Sequence, residues 1–233
     1  MLTNKVPEQD VHDLFTRVAP KYDLMNSIVS LGIQKSWRKK FLRQLDLNKN
    51  SICLDLCCGS ADSTIDLAKK AKLVTGLDFN QEMLKIAQKK IRQKQLQSKI
   101  KLIAGDAMNL PFAANSFDCV TICFGLRNVP DAVKTIQESY RVLKPGGQFA
   151  VLEMSQPTNA LVKLGWQAYF KIFPYFAKLT HGNIKDYQYL SKTSKEFLSA
   201  EQLKKLLEQN GFTRVAVTKL TYGAGAIHVG RKD

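Results

Sequence analysis

Three carboxylates recur at similar places in the first half of the chain: Asp55, Asp78 and Asp106. Asp55 lies in Ser51-Ile-Cys-Leu-Asp-Leu-Cys-Cys-Gly59, which reads as a short apolar strand, a tight turn at Gly59 and the start of a helix. Asp78 closes a second apolar run, Leu73-Val-Thr-Gly-Leu-Asp78, about 20 residues beyond the turn, the spacing of a nucleotide-cofactor βαβ unit. An acid there is placed to accept hydrogen bonds from a ribose diol. The turn is not G-x-G-x-x-G: it has one glycine, and Asp55 precedes it. A pyrophosphate requires bare backbone N–H groups and no nearby carboxylate. The pattern suits a cationic cofactor without phosphate, such as S-adenosyl-L-methionine.

A sheet of this kind binds ligands at the carboxyl ends of its strands. Those ends carry Asp55, Gly59, Ser60 and Asp62, then Asp78 and Phe79, then Asp106 and Ala107, then Cys123 and Phe124. Asp78 is expected to take the ribose hydroxyls. Asp106 is expected to accept from the adenine amino group while the Ala107 N–H donates to a ring nitrogen. Asp55 or Asp62 faces the amino acid portion. Each acid alone could cap a helix or sit solvated in a loop; three in register at successive strand ends point to a site. The next loop, Phe124-Gly-Leu-Arg-Asn-Val-Pro-Asp131, faces the transferred group in this fold. It lacks the Asn/Asp-Pro-Pro-aromatic tetrapeptide that grips an exocyclic amine, and Cys123 lacks the preceding proline of a cytosine C5 nucleophile. Arg127 and Asn128 offer polar hydrogens to an oxygen substrate, or else tie the loop down through a salt bridge and an Asn turn.

These residues need elements to hold them. Residues 8–47 read as helical, with Val11, Leu14, Phe15 and Val18 on one face and an interruption at Pro20. Strands are expected at 51–57, 73–78, 100–104, 117–124, 148–154, 213–220 and 225–231. Helices are expected at 62–71, from the Asn80 cap to 95, at 131–143 and from the Ser199 cap to 209. Lys144-Pro-Gly-Gly147 reads as a turn that stops the fourth strand's helix. The order implies an α/β fold: a Rossmann-like, doubly wound, mostly parallel seven-stranded sheet with a terminal antiparallel hairpin. A single domain is expected over 1–233, with an N-terminal helical cap at 1–47 and a helical insert at 159–198.

The 233 residues carry a net charge of +15. That excess fits RNA or DNA, an anionic membrane surface, or a solvated surface that aids solubility. Its densest run, residues 89–101, reads as a solvated helix face. No apolar run approaches the ~18 residues of a spanning helix, and the N-terminus has no signal-peptide core. A cytoplasmic protein is expected. The five cysteines, three of them crowded at Cys53, Cys57 and Cys58, show no zinc spacing and read as small reduced residues; no metal site is expected.

Six segments carry a resemblance to a known family: Arg17-Val-Ala-Pro-Lys-Tyr-Asp-Leu-Met-Asn26, Asp55-Leu-Cys-Cys-Gly59, Leu110-Pro-Phe112, Phe124-Gly-Leu-Arg-Asn128, Arg141-Val-Leu-Lys-Pro-Gly-Gly147 and Ala226-Ile-His-Val-Gly230. They resemble the ubiquinone/menaquinone biosynthesis C-methyltransferases, class I enzymes dependent on S-adenosyl-L-methionine, over nearly the whole chain. The compact N-terminus is similar to the Gram-positive menaquinone branch. The resemblance implies cofactor contacts at Ser60, Asp78, Asp106 and Ala107, with Cys123 close by, and quinol contacts near Tyr22, Arg127 and Asn128. It implies methyl transfer to a ring carbon of demethylmenaquinol, Arg127 meeting the developing phenolate and Tyr22 and Asn128 orienting the hydroxyl. A prenylated naphthoquinol lives in the bilayer, so reversible attachment to an anionic membrane surface follows, through the aromatic and basic segment 161–178 unless that segment is a lid packed on the sheet. No nucleic acid partner is expected, and a homodimer is allowed. A methyltransferase acting on RNA or on a benzoquinol, and a lipid-binding scaffold with a vestigial cofactor site, are the competing readings. The chain departs from the family at Ala61, where glycine is usual, at Gln34, where histidine is usual, and in lacking a proline around Phe197-Leu-Ser-Ala200.

Overall fold

The computed structural model describes residues 8–30, 32–157, 159–172, 174–175 and 183–233. Parts of the N-terminal cap (1–7 and 31) and of the insert (158, 173 and 176–182) lie outside the described residues. Seven strands form one sheet in the order β3-β2-β1-β4-β5-β7-β6. They are β1 Ile52–Leu56, β2 Leu73–Asp78, β3 Ile100–Ala104, β4 Phe117–Cys123, β5 Leu143–Met154, β6 Thr213–Leu220 and β7 Gly225–Arg231. Pairings among β1 to β5 are parallel; β7 pairs antiparallel with both β5 and β6. This is the doubly wound sheet with a terminal hairpin that the alternation of apolar runs predicts.

Alternate residues of the central strands feed two cores, because side chains point to opposite faces with period two. Leu54, Leu56, Val120, Ile122, Phe149 and Val151 pack on one face with α6 (Ala132–Val142) and α9 (Ala200–Gln209). Cys53, Val74, Cys119, Ala150 and Leu152 pack on the other with α3 (Ile33–Gln44), α4 (Asp62–Leu67) and α5 (Gln81–Gln93). The N-terminal helical stretch breaks where Pro20 predicts: α1 (Glu8–Val18) and α2 (Tyr22–Val29) flank a 3₁₀ turn at Ala19–Lys21. The insert supplies α7 (Ala160–Ile172) and α8 (Ile184–Glu196). Ser199 closes a full capping box with Gln202 at the start of α9.

Two local expectations are corrected. The segment Lys144–Gly147 is not a free turn: β5 begins at Leu143 and passes through it, and a register shift between Phe117 and Cys119 absorbs the extra residues. A bulge of this kind lets proline and glycine sit within a ladder. The helix after β1 ends at Leu67, short of 71.

Asp55 stands at the centre of the sheet with no exposed surface. Its Oδ1 accepts from Thr121 Oγ1 of β4, and its Oδ2 accepts from Ser63 Oγ and Thr64 Oγ1 of α4, each at 2.7 Å. One carboxylate thus joins β1, β4 and the start of α4. Burial pushes its pKa up, and the three hydroxyls oppose that shift. Thr121→Val keeps the shape and removes one donor from a buried carboxylate. It is expected to cost about 1–3 kcal/mol, a fall of several degrees in melting temperature for a chain of this size. Thermal denaturation of the variant checks this; an unchanged midpoint would show that the hydroxyl is dispensable.

Candidate active site

The strand order reverses between β1 and β4, and ligands of open α/β sheets bind at such a switch point. The turn after β1 begins there. Cys57, Gly59 and Ala61 all have left-handed φ, of 51°, 53° and 67°. Ala61, where the resemblance leads one to expect glycine, adopts a glycine-like conformation with its methyl wholly buried. The turn is held by Asp78: its Oδ2 accepts from Gly59 N–H at 2.8 Å and its Oδ1 from Asn80 N–H at 2.9 Å. Asp78 is buried, and desolvation raises its pKa to about 6 despite those two bonds.

Asp78 and Gly59 line a slot with Cys57, Phe79, Asp106, Ala107, Cys123 and Phe124. Asp106 accepts from Met108 N–H through Oδ1 at 2.8 Å, which leaves Oδ2 for a ligand. The N-terminal helices cover the slot: Val11 and Phe15 of α1 and Tyr22 of α2 form part of its wall. Asn80 docks α1 there. Its Oδ1 caps α5 at Met83 N–H, and its Nδ2 donates to His12 O and Thr16 Oγ1.

Three of the residues expected to meet the cofactor fall outside the slot's lining: Asp55, Ser60 and Asp62. Asp55 is occupied by its three hydroxyls. Ser60 Oγ donates to Asp23 Oδ1 of α2 at 2.7 Å. Asp62 is paired with Lys90 and with Arg38, the latter at 3.0 Å. Lys90 also reaches Asp23 at 2.9 Å, so this network fastens the cap to the turn.

A second cavity of about 360 Å³ adjoins the slot. Its wall is largely apolar and aromatic, with Ile33 and Trp37 of α3, Trp166, Tyr169 and Phe170 of α7, and Leu190 of α8. Gln34, a second departure from the usual pattern, lines it too. Phe15, Tyr22, Phe124 and Asn128 line both spaces. Burial raises the Tyr22 phenol above its ordinary range, so it stays protonated. Tyr189 Oη donates to Asn128 Oδ1 at 3.4 Å.

Arg127 lies on the cavity wall and is tied down on the protein side. Its Nη1 donates to the buried Glu153 and, at 2.9 Å, to Phe124 O, and its backbone N–H donates to Glu153 Oε2 at 3.2 Å. The sequence reading missed Glu153. The signal was available: it is the one charge in the apolar run Phe149-Ala-Val-Leu-Glu-Met154. The thiol of Cys58 is buried and those of Cys57 and Cys123 are half-buried; desolvation pushes all three well above their ordinary pKa, which disfavours a thiolate nucleophile. Among the described residues no cluster of three or more His, Cys, Asp or Glu side chains could hold a metal ion.

Residues 3–232 match the ubiE/COQ5 methyltransferase family. A demethylmenaquinone methyltransferase of Lactobacillus johnsonii is 60% identical over 99% of this chain and 96% of its own length. One of Lactiplantibacillus plantarum is 46% identical over 96% of each chain. Among solved structures, a SAM-dependent methyltransferase of Thermotoga maritima superposes with a TM-score of 0.71, 21% identity, and coverage of 96% and 100%. A Haemonchus contortus N-methyltransferase in complex with S-adenosylhomocysteine gives 0.63 and 16%, covering 84% of this chain and 52% of that one. At those identities the structures share the fold.

Asp78 provides the sharpest test of the slot. Asp78→Ala is expected to weaken S-adenosylmethionine binding about a hundredfold, the loss of a charge-assisted bond pair. In the unaltered chain, affinity is expected to fall as pH drops through about 6, where Asp78 becomes protonated and loses acceptor capacity. Fold stability moves the other way: a raised acid favours the folded chain at low pH, and that contribution is lost as pH rises through about 6. Calorimetric titration at pH 5 and 7.5 measures the affinity and thermal denaturation at the same pH values the stability; unchanged affinity in the variant would remove Asp78 from the site.

Proposed function

The chain belongs to the ubiE/COQ5 methyltransferase family, and from that premise we propose that it methylates a ring carbon of demethylmenaquinol with S-adenosylmethionine. The observation that carries this reading is the junction at Phe15, Tyr22, Phe124 and Asn128, where the polar slot meets the apolar cavity. A flat ring bearing an apolar chain fits the second space and meets the first only there. The residues present fit the cofactor. Asp78 keeps lone pairs for a ribose diol beyond its two backbone bonds, and Asp106 keeps one oxygen for an adenine amine.

When bound, S-adenosylmethionine supplies an electrophilic methyl group. The chain's own residues position the acceptor and manage its charge. Tyr22, held as a neutral phenol, and Asn128 orient the ring hydroxyl. Arg127 faces the same ring oxygen and stabilises the phenolate as the proton leaves to a water held against the guanidinium. Glu153 holds the guanidinium in place from the opposite side. Neutral cysteines favour direct transfer to the ring carbon over a covalent cysteine adduct.

Reversible attachment to an anionic membrane is part of this reading, because the acceptor's tail resides in a bilayer. No helix among the described residues is long and apolar enough to cross a membrane. α7 has two faces. Trp166, Tyr169 and Phe170 turn inward against Leu14, Tyr187 and Leu190. Leu161 and Leu164 face outward, 81% and 66% exposed, as do Ile172 and Tyr175 beyond them. The sequence had offered an interfacial segment or a packed lid; α7 has the makings of both. Residues 173 and 176–178 of that segment lie outside the described residues.

Incubation with labelled S-adenosylmethionine and either a short-tailed demethylmenaquinol or total RNA tests the acceptor. Label is expected in the quinol alone; label in RNA would overturn the assignment. Arg127→Ala would strand a buried Glu153 and is expected to destabilise the fold by about 3–5 kcal/mol, so Arg127→Lys is the cleaner variant. It is expected to lower kcat while leaving cofactor affinity near normal, since the loss concerns charge that appears only during reaction; a normal kcat would return Arg127 to a structural role. Vesicle sedimentation tests the membrane reading. Binding to anionic vesicles is expected to fall as salt rises, with a Debye length of about 8 Å at physiological ionic strength. It is expected to fall further in Leu161→Ser/Leu164→Ser, whereas binding to RNA with no vesicle association would sink the proposal.

A further inference from the structure

The turn that joins β6 to β7 has a costly backbone. Thr221, Tyr222 and Gly223 follow one another at φ 45°, 55° and 96°. Only the third is a glycine, and a β-branched or aromatic residue in the left-handed region is an outlier. A hairpin needing such dihedrals is served at no steric cost by Asn-Gly or Gly-Gly. Thr221 and Tyr222 must therefore be explained by what their side chains do.

Both side chains line the apolar cavity. Thr221 Oγ1 accepts the indole Nε1–H of Trp37 at 3.1 Å, across 184 residues of sequence. Gly225 gives that indole its room: a Cβ there would stand 2.3 Å from Trp37 Cζ3. Trp37 in turn lies against Phe124, ring centroids 6.3 Å apart and planes 25° from parallel. Phe124 is itself held at φ 59°, and it is one of the four residues shared by slot and cavity. A chain of contacts thus runs from the turn through Trp37 to the point where the two spaces meet. Tyr222, 82% exposed, stands at the outer end of the cavity wall.

We propose that the β6–β7 turn is part of the acceptor site and that Thr221 is a positioning residue for it. Thr221 fixes the plane of Trp37, and Trp37 with Phe124 forms a flat aromatic wall for the acceptor's nucleus. Offset stacking on two adjoining aromatic faces favours two fused rings over one. The turn thereby sets both the seat of the ring and a preference for bicyclic over monocyclic quinols. The inference rests on the acceptor reading above.

The test compares the unaltered enzyme with Thr221→Val, Thr221→Ser and Trp37→Phe. Each is assayed with a short-tailed naphthoquinol and a short-tailed benzoquinol, alongside calorimetric S-adenosylmethionine affinity and thermal denaturation. Thr221→Val keeps β-branching and removes only the hydroxyl. It is expected to raise the naphthoquinol KM about five- to tenfold, as loss of one hydrogen bond implies, with cofactor affinity unchanged. Thr221→Ser is expected to restore the KM, and Trp37→Phe to narrow the ratio of kcat/KM between the two quinols. An unchanged naphthoquinol KM in Thr221→Val would overturn the inference. So would a parallel loss of cofactor affinity and melting temperature, which a purely structural turn would give. If the unaltered enzyme methylated neither quinol, the acceptor reading itself would fail and this inference with it; activity on the naphthoquinol with an unaffected Thr221→Val would refute the inference alone.

Discussion

A carboxylate removed wholly from water is tolerable only where hydrogen bonds replace that water, and at Asp55 three hydroxyls do so. The rest of the site depends on this arrangement. β1 cannot slide against β4 without breaking the bond to Thr121, and α4 cannot shift without breaking those to Ser63 and Thr64. With both neighbours fixed, the intervening turn is over-determined. It can then hold Cys57, Gly59 and Ala61 at left-handed φ and present Gly59 N–H to Asp78. Strained backbone persists where its surroundings leave no alternative, and here those surroundings radiate from one buried acid.

The carboxyl ends of β1 to β4 would make only half an enclosure. α1 and α2 complete it, through contacts that are polar and local to the slot. Asn80 does two jobs, capping α5 and receiving α1. Lys90 joins α5 to Asp23, Ser60 and Asp62, so the cap, the turn and the start of α4 share one cation. Exposed ion pairs contribute little to stability, but Lys90 is less than a quarter exposed and serves three acceptors. Such a cluster fixes the cap over the slot.

Much of the sheet was legible in the sequence. β2, β3, β6 and β7 begin and end where their apolar runs meet turn residues, as expected from 73–78, 100–104, 213–220 and 225–231. The caps at Asn80 and Ser199 are equally local and were equally readable. What could not be read was whatever depends on distant partners. A proline-glycine segment looks the same before a turn or inside a bulged strand; the pairing of Cys119 with Gln148 decides it. Asp55 and Asp62 sit on the same sequence pattern as Asp78, yet three hydroxyls and two cations occupy them, so of these three acids only Asp78 reaches the slot. Thr221 and Trp37 carry no shared signal, since one ends a hairpin and the other sits on the helical cap.

The two spaces are built by different parts of the chain. The slot is framed mainly by strand ends, part of a fold that is shared with methyltransferases at 16–21% identity. The apolar cavity is framed mainly by α3, α7, α8 and the β6–β7 turn. A sheet end can therefore keep one cofactor while the cap and insert change to suit the acceptor, since sites on a rigid scaffold diverge through the segments that connect it. The two parts meet in a few residues, and Arg127 and Phe124 show how tightly. Glu153 on β5 holds the guanidinium, the guanidinium holds the Phe124 carbonyl, and Trp37 on α3 backs the Phe124 ring. Sheet and cap are thus coupled at the junction of the two spaces.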